Sequence, residues 1–311
     1  DAYLKLGDRP AAERSFRESL DIFNMLDPKG ENIRVTMNRA VIITKVGDAL
    51  MIEGKYPQAL GFYKEGQLVG EKLLARDPHN ETAQSHSIVI HGQVGLALTH
   101  LGRFSESNQE FRKSLAISAN PAERTAIVRV IRATVGIWFA QSLMHQGKPA
   151  EAAAEFAKSK AGFASLGNAD ALDLRTRTYL CAAQMQYGGA LAAQRKFVQA
   201  QKELEPAIET LEKLAGAAPP SQELQYTLAE AYNQQGILFV SRARIAASKD
   251  ERTADWKAAK SWFEKSSAIW DKVKNPARLS TYGLEVSLPG EVSQRIAECD
   301  ANLRPPQNSA K

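Results

Sequence analysis

Apolar residues recur every three or four positions along almost the whole chain, and small residues recur at fixed places among them. Positions four and seven apart lie on one face of a helix, so this spacing predicts amphipathic helices. We find no alternating apolar and polar run bounded by hairpin turns, and therefore expect no strands. The pattern predicts an all-helical protein.

The helical pattern occurs in six copies, which align on one small residue each. A turn lies five positions before the small residue and is Gly in the first four copies, and a large apolar residue usually lies four positions after it. The steps between copies are 47, 48, 45, 48 and 59 residues. The aligned small residues are Ala12, Ala59, Ser107, Ala152, Ala200 and Ala259.

Another small residue lies seven positions before the turn in most copies. It is Gly47, Gly95, Ala140 and Gly188 in copies two to five, and Gly236 fits the sixth copy if that copy contains an insertion. A small side chain lets two helix backbones approach closely. This position therefore predicts the crossing point of two helices in each copy.

Proline and other helix breakers follow each copy and predict where its second helix ends, because proline removes a donor and clashes with the preceding turn. In the sixth copy the stretch ARIAASKDERTADW predicts an extended loop between the two helices. The breakers are Asp27–Pro28, Asp77–Pro78, Asn120–Pro121, Gly167–Asn168, Pro219–Pro220 and Asn275–Pro276.

The pattern resembles the tetratricopeptide repeat, a helix-turn-helix unit that usually has about 34 residues. The unit here is near 47 residues, which resembles the long-helix branch of that family. The resemblance implies an all-α, right-handed superhelix (α-solenoid) of about six antiparallel helix pairs. The stretch PGEVSQRIAECDANL predicts a C-terminal capping helix, since the ends of repeat arrays need covering.

We therefore expect one helical repeat domain over residues 1–303, followed by a disordered tail over residues 304–311. The capping helix is expected at residues 289–303. The expected repeats are approximately 1–29, 30–79, 80–121, 122–169, 170–220 and 221–276.

Composition narrows the possible partners and compartments. Forty basic and 35 acidic residues are interleaved, with a net charge of +5 and no basic block long enough to follow a nucleic-acid backbone, so we expect no nucleic-acid partner. Cys181 and Cys299 do not have the spacing of a metal site or of a disulfide framework. We therefore expect both to be buried like small apolar residues.

Residues 126–144 are the most apolar stretch, but they contain Arg129 and Arg132 and therefore do not predict a membrane span. No signal peptide is visible, and the chain begins as if inside a helix, so we expect a fragment of a longer chain or a processed form. The compartment stays open: cytoplasmic, or extracytoplasmic if a membrane span precedes the segment in a parent chain.

Two Gly-Lys pairs, Gly54–Lys55 and Gly147–Lys148, could end phosphate-binding loops. A phosphate loop needs four residues between its glycines and Ser or Thr after the Lys, and neither pair meets this pattern. His86 and His91 are five residues apart and cannot chelate one ion from a single helix face. No nucleophile elbow or kinase motif occurs. We expect no catalytic residue, no metal and no cofactor.

In the tetratricopeptide family the first helix of each pair lines a concave groove that binds a protein or peptide, and the resemblance implies groove positions here. Trp138 beside amide side chains is a candidate anchor for such a ligand. Packing between neighbouring helices is the alternative for each position. The predicted groove residues are Lys45, Asp48, Gln93, His100, Trp138, Gln141, Met144, His145, Met185, Gln186, Asn233 and Gln234, and Met51, Ile52, Leu96, Gly189 and Ile237 accompany them.

Two hypotheses for the function follow. The first is an interaction or scaffold module without chemistry; a chaperone-tail adaptor is not expected, since only Lys45 and Asn233 fit the carboxylate clamp of that subtype. The second rests on AAKSWFEKSSAIWDKV and PGEVSQRIAECDANL, which resemble the C-terminal repeat region of bacterial serine/threonine protein kinases. That resemblance implies a sensory or regulatory segment whose kinase domain is absent here. A repeat array attached to a transcriptional regulator is a third possibility.

Overall fold

The computed structural model describes Tyr3 and residues 8–117, 125–167, 173–217, 221–280 and 283–304. Within these residues the chain forms twelve α-helices and no strand, as the periodicity predicts. In chain order they are α1 (Arg9–Leu26), α2 (Ile33–Ile52), α3 (Tyr56–Arg76), α4 (Glu81–His100), α5 (Phe104–Ile117), α6 (Ala126–His145), α7 (Pro149–Ala164), α8 (Leu174–Ala193), α9 (Phe197–Ala217), α10 (Gln222–Ala243), α11 (Lys249–Trp270) and α12 (Pro289–Leu303).

Consecutive helices pack in pairs. Contacts join α2 to α3, α4 to α5, α6 to α7 and α10 to α11, while α1 packs on α2. The α8–α9 pair meets where Gly188 lies against Leu204. The leading helix expected for the first copy falls mainly on residues 1–7, of which only Tyr3 is described. The predicted class, a solenoid of helical hairpins, is confirmed.

The small residue before each turn sets the distance between paired helices. A Cβ placed on Gly47 would lie 2.4 Å from the Tyr63 ring, and one on Gly236 would lie 2.5 Å from the Phe263 ring. No real Cβ contact is that short, so the aromatic side chain of the second helix fills the space that glycine leaves open. The spacing of these glycines and rings along the sequence therefore predicts the crossing point correctly.

The Gly-Lys pair at residues 54 and 55 forms a turn between helices. Gly54 has φ +77°, and the Lys55 N–H donates to the Leu50 carbonyl at 2.9 Å. A residue with positive φ after the last turn is a common way to end a helix, and glycine adopts it without strain. The Lys55 ammonium pairs with Glu53 at 2.6 Å and Glu13 at 3.4 Å.

Helices end where the breakers predict, in the part of the chain that is described. α1 ends at Leu26, and the Asp27 carboxylate accepts the N–H groups of Glu31 and Asn32 just before α2. α3 ends at Arg76, one residue before Asp77–Pro78. The breakers at 120–121, 168 and 219–220 lie outside the described residues. α11 ends at Trp270, ahead of Asn275–Pro276.

The extended loop expected in the sixth copy is wrong. α10 ends at Ala243 and α11 begins at Lys249, so the connection is short and most of the extra residues are helical. A capping box explains the early start of α11. The Ser248 hydroxyl accepts the Glu251 N–H at 3.1 Å, and the Glu251 carboxylate accepts the Ser248 N–H at 3.3 Å.

The chain divides into two compact units. The first comprises Asp1–Leu180 and Ala277–Glu285, and so holds α1 to α7, the first turns of α8 and a short segment from the α11–α12 connection. The second comprises Cys181–Pro276 and Val286–Lys311, and holds the rest of α8 with α9 to α12.

In the second unit the last helix, α12, packs against α11, as a capping helix would. Lys260 pairs with Asp300 at 2.6 Å, and Arg244 at the end of α10 pairs with Glu298 at 2.8 Å. Val292 and Cys299 are fully buried, and burial raises the pKa of the Cys299 thiol to about 11. Residues 305–311 of the expected tail lie outside the described residues.

One helix among the described residues, α6, is long and apolar enough to cross a membrane, with a mean hydropathy of 1.3 in its most apolar window. Most of that window, 61%, is buried inside the protein. α6 packs against α4, α5 and α7 and forms the centre of the first unit. Its hydropathy reflects that central position.

Candidate functional site

The first unit brings seven of the predicted groove residues to one cavity. Its volume is about 240 Å³, and its walls come from α2, α4, α6 and the start of α8, where Arg175 and Tyr179 lie. The first helices of successive pairs thus share one inner surface, which we call the inner groove. The predicted residues that line it are Lys45, Asp48, Met51, Ile52, Gln93, Leu96 and Trp138.

The Asp48 carboxylate organises the polar wall of the inner groove. It accepts hydrogen bonds from Tyr63 Oη at 2.9 Å and Gln93 Nε2 at 2.6 Å, and Lys45 Nζ lies 3.2 Å away. Burial, with the Asp48 charge, raises the pKa of Tyr63 well above its ordinary value, so the phenol remains a donor.

Because a carboxylate only accepts hydrogen bonds, the Gln93 amide nitrogen must face Asp48, and this fixes the orientation of the amide. Gln93 Oε1 is buried and accepts no hydrogen bond from the described residues. A buried acceptor without a donor is costly, so this oxygen has the capacity to accept one more hydrogen bond.

A segment of the same chain covers part of the inner groove. Residues 277–285, between α11 and α12, belong to the first unit, and Leu279, Ser280 and Gly283 line the cavity together with the helices. We call residues 277–285 the plug; residues 281–282 within it lie outside the described residues. The sequence predicted no structure for this segment.

The plug is a tight reversal of the chain. The Ser280 N–H donates to the Leu284 carbonyl at 2.9 Å, the Gly283 N–H donates to the Ser280 carbonyl at 3.0 Å, and Leu279 and Glu285 form an isolated antiparallel bridge. Leu279 and Leu284 are 1% and 3% exposed. The plug therefore carries its own turn and inserts its apolar side chains into the protein.

Glycine at position 283 lets its own backbone lie directly on Trp138. A Cβ there would lie 2.8 Å from Trp138 Nε1 and 3.2 Å from Leu96 Cδ2, and the residue has φ +77°. Both the close approach and the positive φ exclude larger residues. The predicted anchor Trp138 is therefore 8% exposed and already contacts polypeptide.

At one end of the plug the Glu285 carboxylate lies 2.5 Å from His145 Nε2. The His145 ring is 6.0 Å from the His100 ring, which stacks on Tyr56 at 4.6 Å. The plug thus brings a carboxylate to a cluster of three rings from α3, α4 and α6. Two of the rings, His100 and His145, are groove residues predicted from the sequence.

The charges of this cluster shift the pKa values of its members in different directions. The hydrogen bond to Glu285 raises the pKa of His145 above its ordinary value, whereas burial lowers the pKa of His100. Burial acts to raise the pKa of Glu285, but His145, His100 and Arg278 outweigh it, and the net direction is down. The pair is therefore strongest when His145 is protonated and Glu285 is ionised.

Besides His145, two predicted groove residues on α6 also do not line the cavity. Gln141 is 5% exposed, and neither its amide nitrogen nor its amide oxygen has a hydrogen-bond partner among the described residues. Met144 is half-buried. Their role as ligand contacts stays a prediction.

Four of the predicted groove residues belong to the second unit and are engaged in its own packing and hydrogen bonds. Met185 and Asn233 are fully buried, while Gln186 and Gln234 are half-buried. The Asn233 amide donates to Ser287 Oγ at 3.0 Å and accepts from Arg295 at 2.7 Å, so α12 and the chain before it satisfy this side chain. Neither Met185 nor Asn233 presents surface to a ligand in this structure.

A buried carboxylate, Glu230, holds the chain that enters α12. It accepts the Ser287 N–H at 2.7 Å and the Gln234 amide at 2.6 Å. Burial raises the pKa of Glu230, and these hydrogen bonds oppose the rise. Gln234, predicted as a ligand contact, is thus engaged within the second unit.

Sequence reasoning missed the plug and, with it, Glu285. The available signal was a short stretch in which Ala277, Leu279, Leu284 and Val286 alternate with other residues on both sides of Gly283. Such alternation around a glycine predicts a small hairpin rather than a linker. The side chains that the plug meets could not be read from it, because His145 and Glu285 are 140 residues apart.

A larger cleft, of about 1130 Å³, lies between α5, α6 and α7 of the first unit. Arg112, Arg129, Arg132 and Lys158 line it together with Glu155 and an apolar face of α6. None of the predicted groove residues is in it. The connection that follows α5, residues 118–124, lies outside the described residues.

Among the described residues no three His, Cys, Asp or Glu side chains are grouped so that they could hold a metal ion. Of the histidines that sequence reasoning considered, His91 Nδ1 lies 2.7 Å from the Glu110 carboxylate and 3.1 Å from Gln67 Nε2. His86 is buried, and burial lowers its pKa. His86 and His91 are therefore buried side chains of α4 that pack against neighbouring helices.

No family model matches the sequence, and no curated protein matches it. Solved structures do match in fold. The structure of BtubC (BKLC) from P. vanneervenii has a TM-score of 0.60 at 13% identity, and the match covers 87% of this chain and 95% of that one. The resemblance of the C-terminal end to bacterial kinases therefore stays a prediction.

Two further structures extend the comparison. The TPR-like repeats of a putative kinesin light chain from Podosopora anserina match with a TM-score of 0.50 at 16% identity, over 76% of this chain and 96% of that one. The Rap protein complexed with Competence and Sporulation Factor matches with a TM-score of 0.52 at 9% identity, over 94% of this chain and 71% of that one. Identities this low show the fold alone, and the chain has the TPR-like helical repeat fold.

Proposed function

We propose that this chain is a protein-binding module whose ligand is a polypeptide segment held in the inner groove. The single observation that carries the proposal is that α4 and α6 already hold polypeptide there: Gly283 lies on Trp138 and Leu96, and Glu285 meets His145. A surface that accepts one turn of chain has the shape and chemistry to accept another.

The lining of the inner groove fits such a ligand. Trp138 is a large, rigid anchor of the kind that dominates binding energy, and Met51 adapts to different neighbours. Gln93 Oε1 is an acceptor for a backbone N–H of the ligand. The fold supports the proposal too, since the similar Rap protein was solved as a complex with a factor.

The experiment is selection of peptides from a displayed random library on a variant in which residues 278–285 are replaced by a Gly/Ser linker of the same length. We expect enriched peptides that lose at least tenfold in affinity on Trp138→Ala or Lys45→Glu, since an anchor is worth ~2 kcal/mol or more. Leu68→Ala, an exposed apolar residue on α3, is the matched control and should change nothing.

Circular dichroism must show that each variant retains its helix content. Peptides that bind equally well to the Trp138, Lys45 and Leu68 variants would place the binding surface elsewhere and contradict the proposal. If no peptide is enriched on the folded linker variant, the inner groove is not a peptide site.

We further propose, from the resemblance of residues 258–273 and 289–303 alone, that a parent chain could place this module behind a bacterial serine/threonine kinase domain. The residues encoded upstream of Asp1 test this. A glycine-rich loop and an HRD loop there would support it, and a DNA-binding domain there would support the regulator alternative instead.

A further inference from the structure

The plug shows which features of a polypeptide the inner groove accepts. Leucines at 279 and 284 are buried, glycine at 283 lies on the indole of Trp138, and a carboxylate at 285 reaches His145. Each feature has a separate physical requirement. Together they define the pattern Leu-x-x-x-Gly-Leu-Glu, which is the sequence of residues 279–285.

The glycine position is the most restrictive. With a Cβ only 2.8 Å from Trp138 Nε1, any larger residue must move the indole or lift the turn, and φ +77° disfavours it further. The acidic position is set by charge. Glu285 lies within hydrogen-bond distance of His145 Nε2, so a basic residue there would meet a like charge when His145 is protonated.

Among its described residues the plug contains no helix and no sheet strand. Its contacts with the rest of the first unit include the buried side chains of Leu279 and Leu284, the approach of Gly283 to Trp138 and the ion pair of Glu285 with His145. Segments outside helices and sheets open more often than the helices around them. Opening would uncover Trp138 and Leu96, on which Gly283 lies.

We propose that the partner of this protein presents a turn with the pattern of the plug, leucine followed by glycine-leucine-acidic residue, and that it binds by replacing the plug. This inference rests on the proposed function, and it goes further by naming the chemistry of the partner and the step that precedes binding. Residues 277–285 are then an internal ligand that keeps the inner groove occupied until the partner arrives.

The plug is covalently joined to α11 and α12, so a partner must compete with a segment that is always close to the inner groove. A segment joined to its site by a short connection acts at an effective concentration on the order of millimolar. A partner segment with the same contacts therefore binds poorly while the plug is in place. It binds well once the plug is removed or weakened.

The test uses a fluorescent synthetic peptide with the sequence of residues 276–288, measured by anisotropy against the intact chain and the linker variant of residues 278–285. We expect the peptide to bind the linker variant at least about tenfold more tightly. A peptide with Gly283→Val, and one with Glu285→Lys, should bind the linker variant much more weakly.

Failure of the peptide to bind the folded linker variant, or equal binding to both proteins, would overturn the inference. The library selection described above separates this failure from failure of the proposed function. Selected peptides that need Trp138 but lack the Gly-Leu-acidic pattern would overturn the inference and leave the proposed function standing.

A second variant covers the case in which the linker variant does not fold. Gly283→Ala in the full chain should unseat the plug, raise the affinity for the wild-type peptide and speed hydrogen exchange in residues 277–285. Gly290→Ala is the matched control, because a Cβ there meets nothing within 4 Å. Identical binding and exchange in both variants would count against the plug as a displaceable ligand.

Discussion

Glycine at the crossing of two paired helices decides how closely their backbones lie. At Gly47 and Gly236 the ring of a Tyr or Phe from the second helix occupies the place of the missing side chain. The same residue type on an exposed helix face, as at Gly61, meets nothing within 4 Å. One amino acid thus has opposite effects on stability at two kinds of position.

Gly236→Ala should destabilise the protein by about 1–3 kcal/mol, because the new methyl group forces Phe263 from its place. Gly61→Ala should instead stabilise it by roughly 0.5–1 kcal/mol, since alanine favours the helix more than glycine does. Urea unfolding followed by circular dichroism measures both. Similar losses from the two substitutions would contradict the packing described for α10 and α11.

At the scale of elements, the helices could be predicted and the plug could not. A small residue and a large one four positions later recur in every copy, and in the copies before the sixth a turn lies five positions ahead of the small residue, so the helix pairs follow from spacing. The plug has no helical period, and its partners lie on α4 and α6, far away in sequence. The short α10–α11 connection was missed although Ser248 and Glu251 carry a capping-box signal.

The seating of the plug should depend on pH through His145. The pKa of His145 is raised in the folded protein, so its attraction to Glu285 is complete below about pH 6.5 and is lost as the pH rises through the raised value. On the acid side it is lost as the pH falls through the lowered pKa of Glu285. The neighbouring groups His100, Arg278 and Tyr56 face the same pair.

We therefore expect hydrogen-exchange protection of residues 277–285, corrected for intrinsic rates, to fall roughly twofold to fivefold between about pH 6 and about pH 8. His145→Gln should remove most of this change. His79→Gln, at an exposed position next to α4, is the control and should keep it. A fall of the same size in the His145 variant would show that another group controls the plug.

At the scale of the whole molecule, stability is a sum over neighbours rather than the property of one core. Each helix in the described part of the chain packs mainly on the helices next to it in sequence, and the chain divides into two compact units. In such arrays a local defect lowers the stability of its own repeat and of those that touch it. The sequence predicts such local effects on stability, because its repeated copies each pack on their neighbours and do not share a single hydrophobic core.

Phe263→Ala, which empties a fully buried position on α11, should cost about 3–5 kcal/mol where α10, α11 and α12 pack. Hydrogen exchange measured by mass spectrometry should show lost protection in these helices. Protection of α2, α3 and α4 in the first unit should change little. Uniform loss across both units would indicate that the chain unfolds as one cooperative body.

The plug has one more consequence, which concerns the protein when no partner is present. An empty inner groove would expose the Trp138 indole and several aliphatic side chains to water as one continuous patch. Exposed apolar patches of this kind promote aggregation. Because the plug occupies the inner groove, these apolar side chains are covered when no partner is bound. The plug, which slows partner binding, then also protects the protein from aggregation.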